Sequence, residues 1–199
     1  MSEPDRDNQA RSRYYMLLGR LLARPPDRML LDMLRGFDGD RGPVGAALDE
    51  VALASAETDE CEARRAYETI FIGVSRGELI PYASYYLTGF VAERPLAKLR
   101  SDMALLGIAR AEGVHESEDH IAALCEMMAG MLTGAFGTRK DLRTESDFFE
   151  AHLAHWAPRF FEDLSRTRHS KFYAAVGGLG SRFMDVENAL LRWQRGRSL

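Results

Sequence analysis

Apolar residues along this chain return every three or four positions, in segment after segment. Tyr14, Leu18, Leu21 and Leu22 make one stripe, and Pro25-Pro26 ends it because proline offers no amide donor, so the pattern predicts a first helix over 8–23. Met29, Leu30, Met33 and Leu34 carry a second helix to a glycine cap at Gly36, and Val44, Leu48 and Val51 mark a third. Thr58 precedes Asp59 and Glu60, whose negative side chains complement the dipole of a fourth, predicted over 58–72 and ending at Gly73. After an aperiodic stretch, Pro95 opens a fifth helix with Leu96, Leu99, Met103 and Leu106 on its inner face. Ser117 is the predicted cap of a sixth, striped by Ile121, Leu124, Met128, Met131 and Leu132. A seventh opens at Thr144 and Asp147 and is interrupted by Pro158, and the last runs from Ser170 through Trp193. No period-two alternation stands out. The expectation is therefore an all-α, single-domain bundle of about eight helices over 1–199, with residues 1–8 as a flexible tail.

With 199 residues, 46% of them hydrophobic, the chain can form one sizeable core. Its net charge of −4 gives a polyanion no general attraction, which argues against nucleic acid as a partner. No stretch approaches the ~18 uninterrupted apolar residues of a membrane span, and the polar start Met1-Ser-Glu-Pro-Asp has no apolar leader core. A soluble, cytoplasmic protein without stable membrane insertion is expected. Cys61 and Cys125 share no C-x-x-C spacing and suit reduced thiols.

Three places carry candidate chemistry. The connection from Gly73 to Thr88 breaks the helical period with glycines, Pro81 and a run of aromatics including Tyr82, Tyr85 and Tyr86. Such aromatics either grip an apolar peptide or pin a long loop to the core. In Glu116-Ser117-Glu118-Asp119-His120, acids and an imidazole crowd a helix entrance, which reads either as a site for a basic peptide or as a solvated helix start. His152, His155 and Trp156 share one helical stretch, but a zinc site needs three or four ligands, and the chain has no H-E-x-x-H and no cysteine pair at ligand spacing. His152 and Trp156 are expected to form a core-edge contact whose ring nitrogens find backbone partners, and Met127, Met128 and Met131 to pack. Phosphate loops, nucleophile elbows and dinucleotide fingerprints are missing, and Gly177-Gly-Leu-Gly180 falls within the last helix, where close packing is expected. No enzyme, metal or cofactor is implied.

Taken together, Phe71-Ile-Gly with Pro81-Tyr-Ala-Ser-Tyr-Tyr-Leu, then Glu116-Ser-Glu-Asp-His120, then Phe149-x-x-His152-Leu-x-x-Trp156-x-x-x-Phe160, resemble the TorD/DmsD/NarJ family of redox-enzyme maturation chaperones across most of residues 10–195. The resemblance implies an all-helical chaperone. It would bind the twin-arginine signal peptide, and the apoenzyme, of a molybdopterin oxidoreductase of the DMSO reductase or formate dehydrogenase type until the cofactor is inserted. It further assigns recognition to Pro81, Tyr82, Ser84, Asp119 and His120; beside them Phe71, Tyr86 and Glu116 are expected to bind the client, and the local pattern makes Ser117, His152 and Trp156 structural. Tyr82 stands where many relatives have tryptophan, and Ser117-Glu118 replaces a proline before Asp-His, both of which bear on client preference. Tyr82, Tyr86, Glu116, Asp119 and His120 are expected to border one groove. A monomer with a minor domain-swapped dimer is expected. Readings from other classes are a guanine-nucleotide switch and a plain helical oligomerisation module.

Overall fold

The computed structural model describes residues 3–74 and 76–197. Among them are ten α-helices and no strand: α1 (Glu3–Ala23), α2 (Arg28–Arg35), α3 (Pro43–Ala56), α4 (Glu60–Tyr67), α5 (Ala83–Thr88), α6 (Arg94–Leu106), α7 (Ile121–Thr133), α8 (Leu142–His152), α9 (Ala157–Ser165) and α10 (Lys171–Arg197). Two more helices appear than the periodicity gave. The aromatic run after Pro81 winds into the short α5, and the seventh predicted helix ends at His152 as α8, with Pro158 falling in the first turn of a separate α9. The helix predicted over 58–72 is α4 followed by a π-helical turn, Glu68–Ile72. Gly73 ends that turn at φ 63°, where a Cβ would lie 2.0 Å from the Arg76 carbonyl oxygen, so only glycine fits. At the N-terminus α1 begins at Glu3, and the segment read as a tail is helical through residue 8; Met1 and Ser2 lie outside the described residues.

Two compact units make up the chain. The first comprises Met1–Ala23, Pro81–Ala157 and Asn188–Leu199. Its centre is α7, apolar except for the exposed Glu126 and its terminal Thr133, with Ile121, Leu124, Cys125, Met128 and Met131 fully enclosed. Helix α1 lies along α7 through Tyr15, Leu18 and Leu22, and Gly19 lets the two backbones close up, since a Cβ there would sit 3.3 Å from the Ala122 carbonyl oxygen. A buried ion pair joins α1 to α8: Arg11 Nη1 donates to Glu145 Oε2 at 3.1 Å and to Asn8 Oδ1 at 3.0 Å. Breaking one side of such a pair costs more than the pair contributes, because the remaining charge stays buried.

The second unit, Arg24–Ile80 and Pro158–Glu187, packs Phe160, Phe161, Phe172, Val176 and Leu179 into its interior. Glycines make that packing possible, as the sequence led one to expect. A Cβ on Gly177 would meet the Ser165 amide nitrogen at 2.3 Å and one on Gly180 the Phe161 ring at 2.0 Å. Both cysteines are free thiols, Cys61 exposed and Cys125 buried.

Candidate functional site

The site forms where the chain enters the first unit at Pro81 and meets the entrance to α7. The Ile121 amide donates to the Pro81 carbonyl at 2.9 Å and the Ala83 amide to the Asp119 carbonyl at 3.0 Å, which makes Tyr82 and His120 partners in a single antiparallel bridge. Below this bridge lies Asp119, only 1% exposed. Its Oδ2 accepts the Ser84 amide at 2.9 Å and its Oδ1 the Ser117 hydroxyl at 2.6 Å. A buried carboxylate is tolerated only with such donors, and this one joins segments 35 residues apart.

Ser84 is itself buried, and its hydroxyl accepts the amide of Ala92 at 3.1 Å. Pro81, Ser84 and Asp119, all expected at a ligand, thus form an enclosed latch. The reason is geometric: once Asp119 is tied into the bridge, its side chain points at the start of α5 rather than at solvent. Ser117 is a related correction. It does not cap the helix, because Asp119 is held in the bridge and the helix begins only at Ile121. His120 takes the cap, its Nδ1 accepting the Ala122 amide at 3.1 Å. An accepting Nδ1 puts the proton of the neutral ring on Nε2. Burial lowers the His120 pKa, against the opposing pull of Glu116 and Asp119, so the ring stays neutral at pH 7.

Above the latch two predicted residues reach the surface together. The Tyr82 hydroxyl donates to Glu116 Oε1 at 2.7 Å, and the Tyr82 ring stands edge-on to His120 with centroids 5.1 Å apart. Glu116 is exposed, and its Oε1 also accepts the Ser117 amide at 2.9 Å, which fixes the carboxylate beside the ring. Tyr86 instead leans on Trp156 at 5.5 Å and is half-buried. Phe71 belongs to the second unit, where it packs on Tyr67 at 4.9 Å and edge-on to Tyr173 at 5.5 Å.

Sequence reasoning missed the neighbours of Glu118. Arg110 reaches its carboxylate at 2.7 Å and Arg100 at 2.9 Å. Burial pushes the Glu118 pKa up, but the hydrogen bonds from the two guanidinium groups outweigh it and bring the carboxyl down to about 2. Nothing in the spacing of Arg100, Arg110 and Glu118 signals this clamp. Further along, Trp156 Nε1 finds the expected backbone partner, the His152 carbonyl at 2.7 Å. His152 does not: its Nε2 bonds Asp102 Oδ2 at 2.7 Å, a side chain on α6, because the end of α8 turns the ring toward that helix. Among the described residues no three His, Cys, Asp or Glu side chains gather as a metal-ion site, and no helix is long and apolar enough to cross a membrane.

Residues 38–162 match the family model described as the nitrate reductase delta subunit. The chain belongs to that family. Relatives of this family member include the chaperone protein TorD of Vibrio cholerae, 26% identical over 129 residues, with 61% of this chain and 59% of that protein covered. TorD of Aliivibrio fischeri is 25% identical over 158 residues, covering 72% of this chain and 71% of the relative. For TorD of Vibrio vulnificus the figures are 23% over 194 residues, 87% and 90%. The chain thus spans about three-fifths of the length of the Vibrio cholerae relative it matches. Both the family and these relatives agree with the TorD-like resemblance of the three motifs.

Proposed function

We propose that this protein is a cytoplasmic, non-enzymatic maturation chaperone. It binds the twin-arginine signal peptide and the apo form of a molybdopterin oxidoreductase, and holds that client until its cofactor is in place. The observation that carries the reading is the Tyr82–Glu116 pair, an exposed carboxylate fixed beside an aromatic ring on a buried latch in a chain of this family. A twin-arginine leader combines guanidinium groups with an apolar run, and a carboxylate beside a ring complements both. In this reading Glu116 and Tyr82 meet the peptide, while Pro81, Ser84, Asp119 and His120 hold them in position, and Tyr86 and Phe71 support from within their own units.

Calorimetric titration with a synthetic twin-arginine leader tests the proposal. Glu116→Gln removes one charge-assisted contact worth ~1.5–3 kcal/mol, so affinity should fall by roughly ten- to a hundred-fold with no loss of thermal stability. Tyr82→Ala should weaken binding with less dependence on salt, because apolar contact is not screened. A peptide with both arginines replaced by glutamine should bind poorly to either form. Binding that ignores Glu116→Gln and the arginine replacement alike would remove the basis of the reading. Titration with GTP in parallel checks the nucleotide alternative, and light scattering the expected monomer with a minor dimer.

A further inference from the structure

Just past the latch, the chain displays three large apolar side chains within five residues: Leu87 at 44% exposure, Phe90 at 70% and Val91 at 55%. Singly exposed apolar groups are ordinary, but several close together mark an interaction surface, and the backbone holds these out. Gly89 ends α5 in the left-handed region at φ 84°. The Thr88 hydroxyl donates to the Ser84 carbonyl at 2.8 Å and accepts the Phe90 amide at 3.2 Å. Ala92 is then forced to φ 60°, the one non-glycine with positive φ among the described residues, and its amide is pinned to Ser84 Oγ. Strain of this kind in an alanine persists only where the surroundings over-determine it. Those surroundings are the latch itself, because the Ser84 amide is bonded to Asp119. The turn is therefore built on the same foundation as the Tyr82–Glu116 pair.

Charge at the rim matches the same kind of ligand. Glu93 follows the turn as the N-cap of α6 without spending its side chain on the cap, and it is exposed like Glu116. Arg100 and Arg110 are engaged by Glu118, and Arg94 beside Glu93 is exposed.

We propose that the turn Leu87–Val91 is the apolar subsite of the peptide site, receiving the aliphatic run of a peptide whose basic residues meet Glu116 and Glu93. This rests on the reading that the chain binds a basic and apolar leader, and it adds Phe90 and Val91 to Tyr82 as apolar contacts, while Tyr86 packs on Trp156. The latch thereby aligns both halves of the ligand: Asp119 sets the carboxylate end through Ser117 and the apolar end through Ser84.

Two peptides separate this inference from the reading beneath it. One is a twin-arginine leader, and the other keeps its arginines but has the aliphatic run replaced by serine and glycine. Wild-type protein should prefer the full leader by at least tenfold. The Phe90→Ala/Val91→Ala variant should lose about tenfold for the full leader and nothing for the basic peptide, whereas Glu116→Gln should lose affinity for both. Both side chains are exposed, so the melting temperature should hold, and Phe90→Ala alone provides a milder version. If wild type binds the leader and the double variant binds it equally well, the subsite is overturned and the functional reading stands. Should wild type bind neither peptide, both fall. If the double variant keeps full affinity but turns a wild-type dimer into a monomer by light scattering, the turn is a contact between copies of the chain and the inference is wrong.

Discussion

The first unit contains two aspartate and histidine arrangements that look alike in composition and work in opposite ways. Asp119 and His120 are neighbours in sequence, yet they serve different partners, the carboxylate taking Ser84 and Ser117 while the imidazole caps α7. Asp102 and His152 are fifty residues apart and share a direct hydrogen bond of 2.7 Å, with Lys98 on the same carboxylate oxygen at 2.6 Å. Asp102 is 29% exposed and His152 5%, so this pair sits at the edge of the interior and Asp119 inside it. Burial raises the Asp102 pKa, but Lys98 and His152 prevail and keep it ionised. Burial likewise lowers the His152 pKa, only partly offset by Asp102, so the imidazole is neutral and donates its Nε2 proton. Adjacency in the chain therefore does not make a pair. What decides is which donors the fold brings to each carboxylate.

Removing Asp119 should break this contrast most severely. Asp119→Ala strands the Ser84 amide and the Ser117 hydroxyl in a buried site, and a loss of about 3 kcal/mol is expected in urea unfolding. Asp119→Asn keeps one acceptor oxygen, and the Ser117 hydroxyl can turn to accept, so its cost should be nearer ~1 kcal/mol. Equal losses for the two would mean that charge, not hydrogen-bond capacity, holds the latch.

Coupling energies give the next largest difference. A double-mutant cycle with Asp102→Asn and His152→Gln should return about 1 kcal/mol, against no more than ~0.5 kcal/mol for Asp119→Asn with His120→Asn. Coupling of the same size in both would show that the adjacent residues act as a pair after all.

Acidification then tests the two imidazoles together. Both have folded pKa values below the unfolded ~6.5, so their contribution is fully present above that pH and is lost as pH falls through the folded values. His120→Asn keeps a good cap and removes the titration, so it should flatten the loss of stability below pH 6.5 measured by urea midpoints. The smallest effect is expected from Glu118→Gln. Glu118 contributes stability that is present above about pH 4.5 and lost as pH falls toward about 2, so the variant should lower neutral stability slightly, by ~0.5 kcal/mol, and flatten that acid limb.

Much of the fold was legible because helices announce themselves locally. The apolar stripes of α1, α6 and α7 are fixed by side chains three and four apart, and the caps at Gly36 and Gly73 and the Ser170 start of α10 depend on residues within a turn of themselves. Short elements were not legible, since α5 has only six residues and draws its start from the Asp119 carbonyl, far along the chain. For the site, the residue types at Tyr82, Glu116, Asp119 and His120 could be read, and so could their clustering. Their division into exposed and enclosed could not, and the Arg100–Glu118–Arg110 clamp and the strained turn at Ala92 left no pattern to find.

By itself, then, the amino-acid sequence determined the all-helical class, the family and the candidate chemistry, because periodicity, capping and motif spacing act over a few residues. Only the tertiary structure decided that Asp119 is a buried anchor, that His152 answers to Asp102, and that Phe90 and Val91 stand in solvent. Burial and hydrogen-bond pairing depend on which distant helices meet, and that follows from the packing of the whole unit.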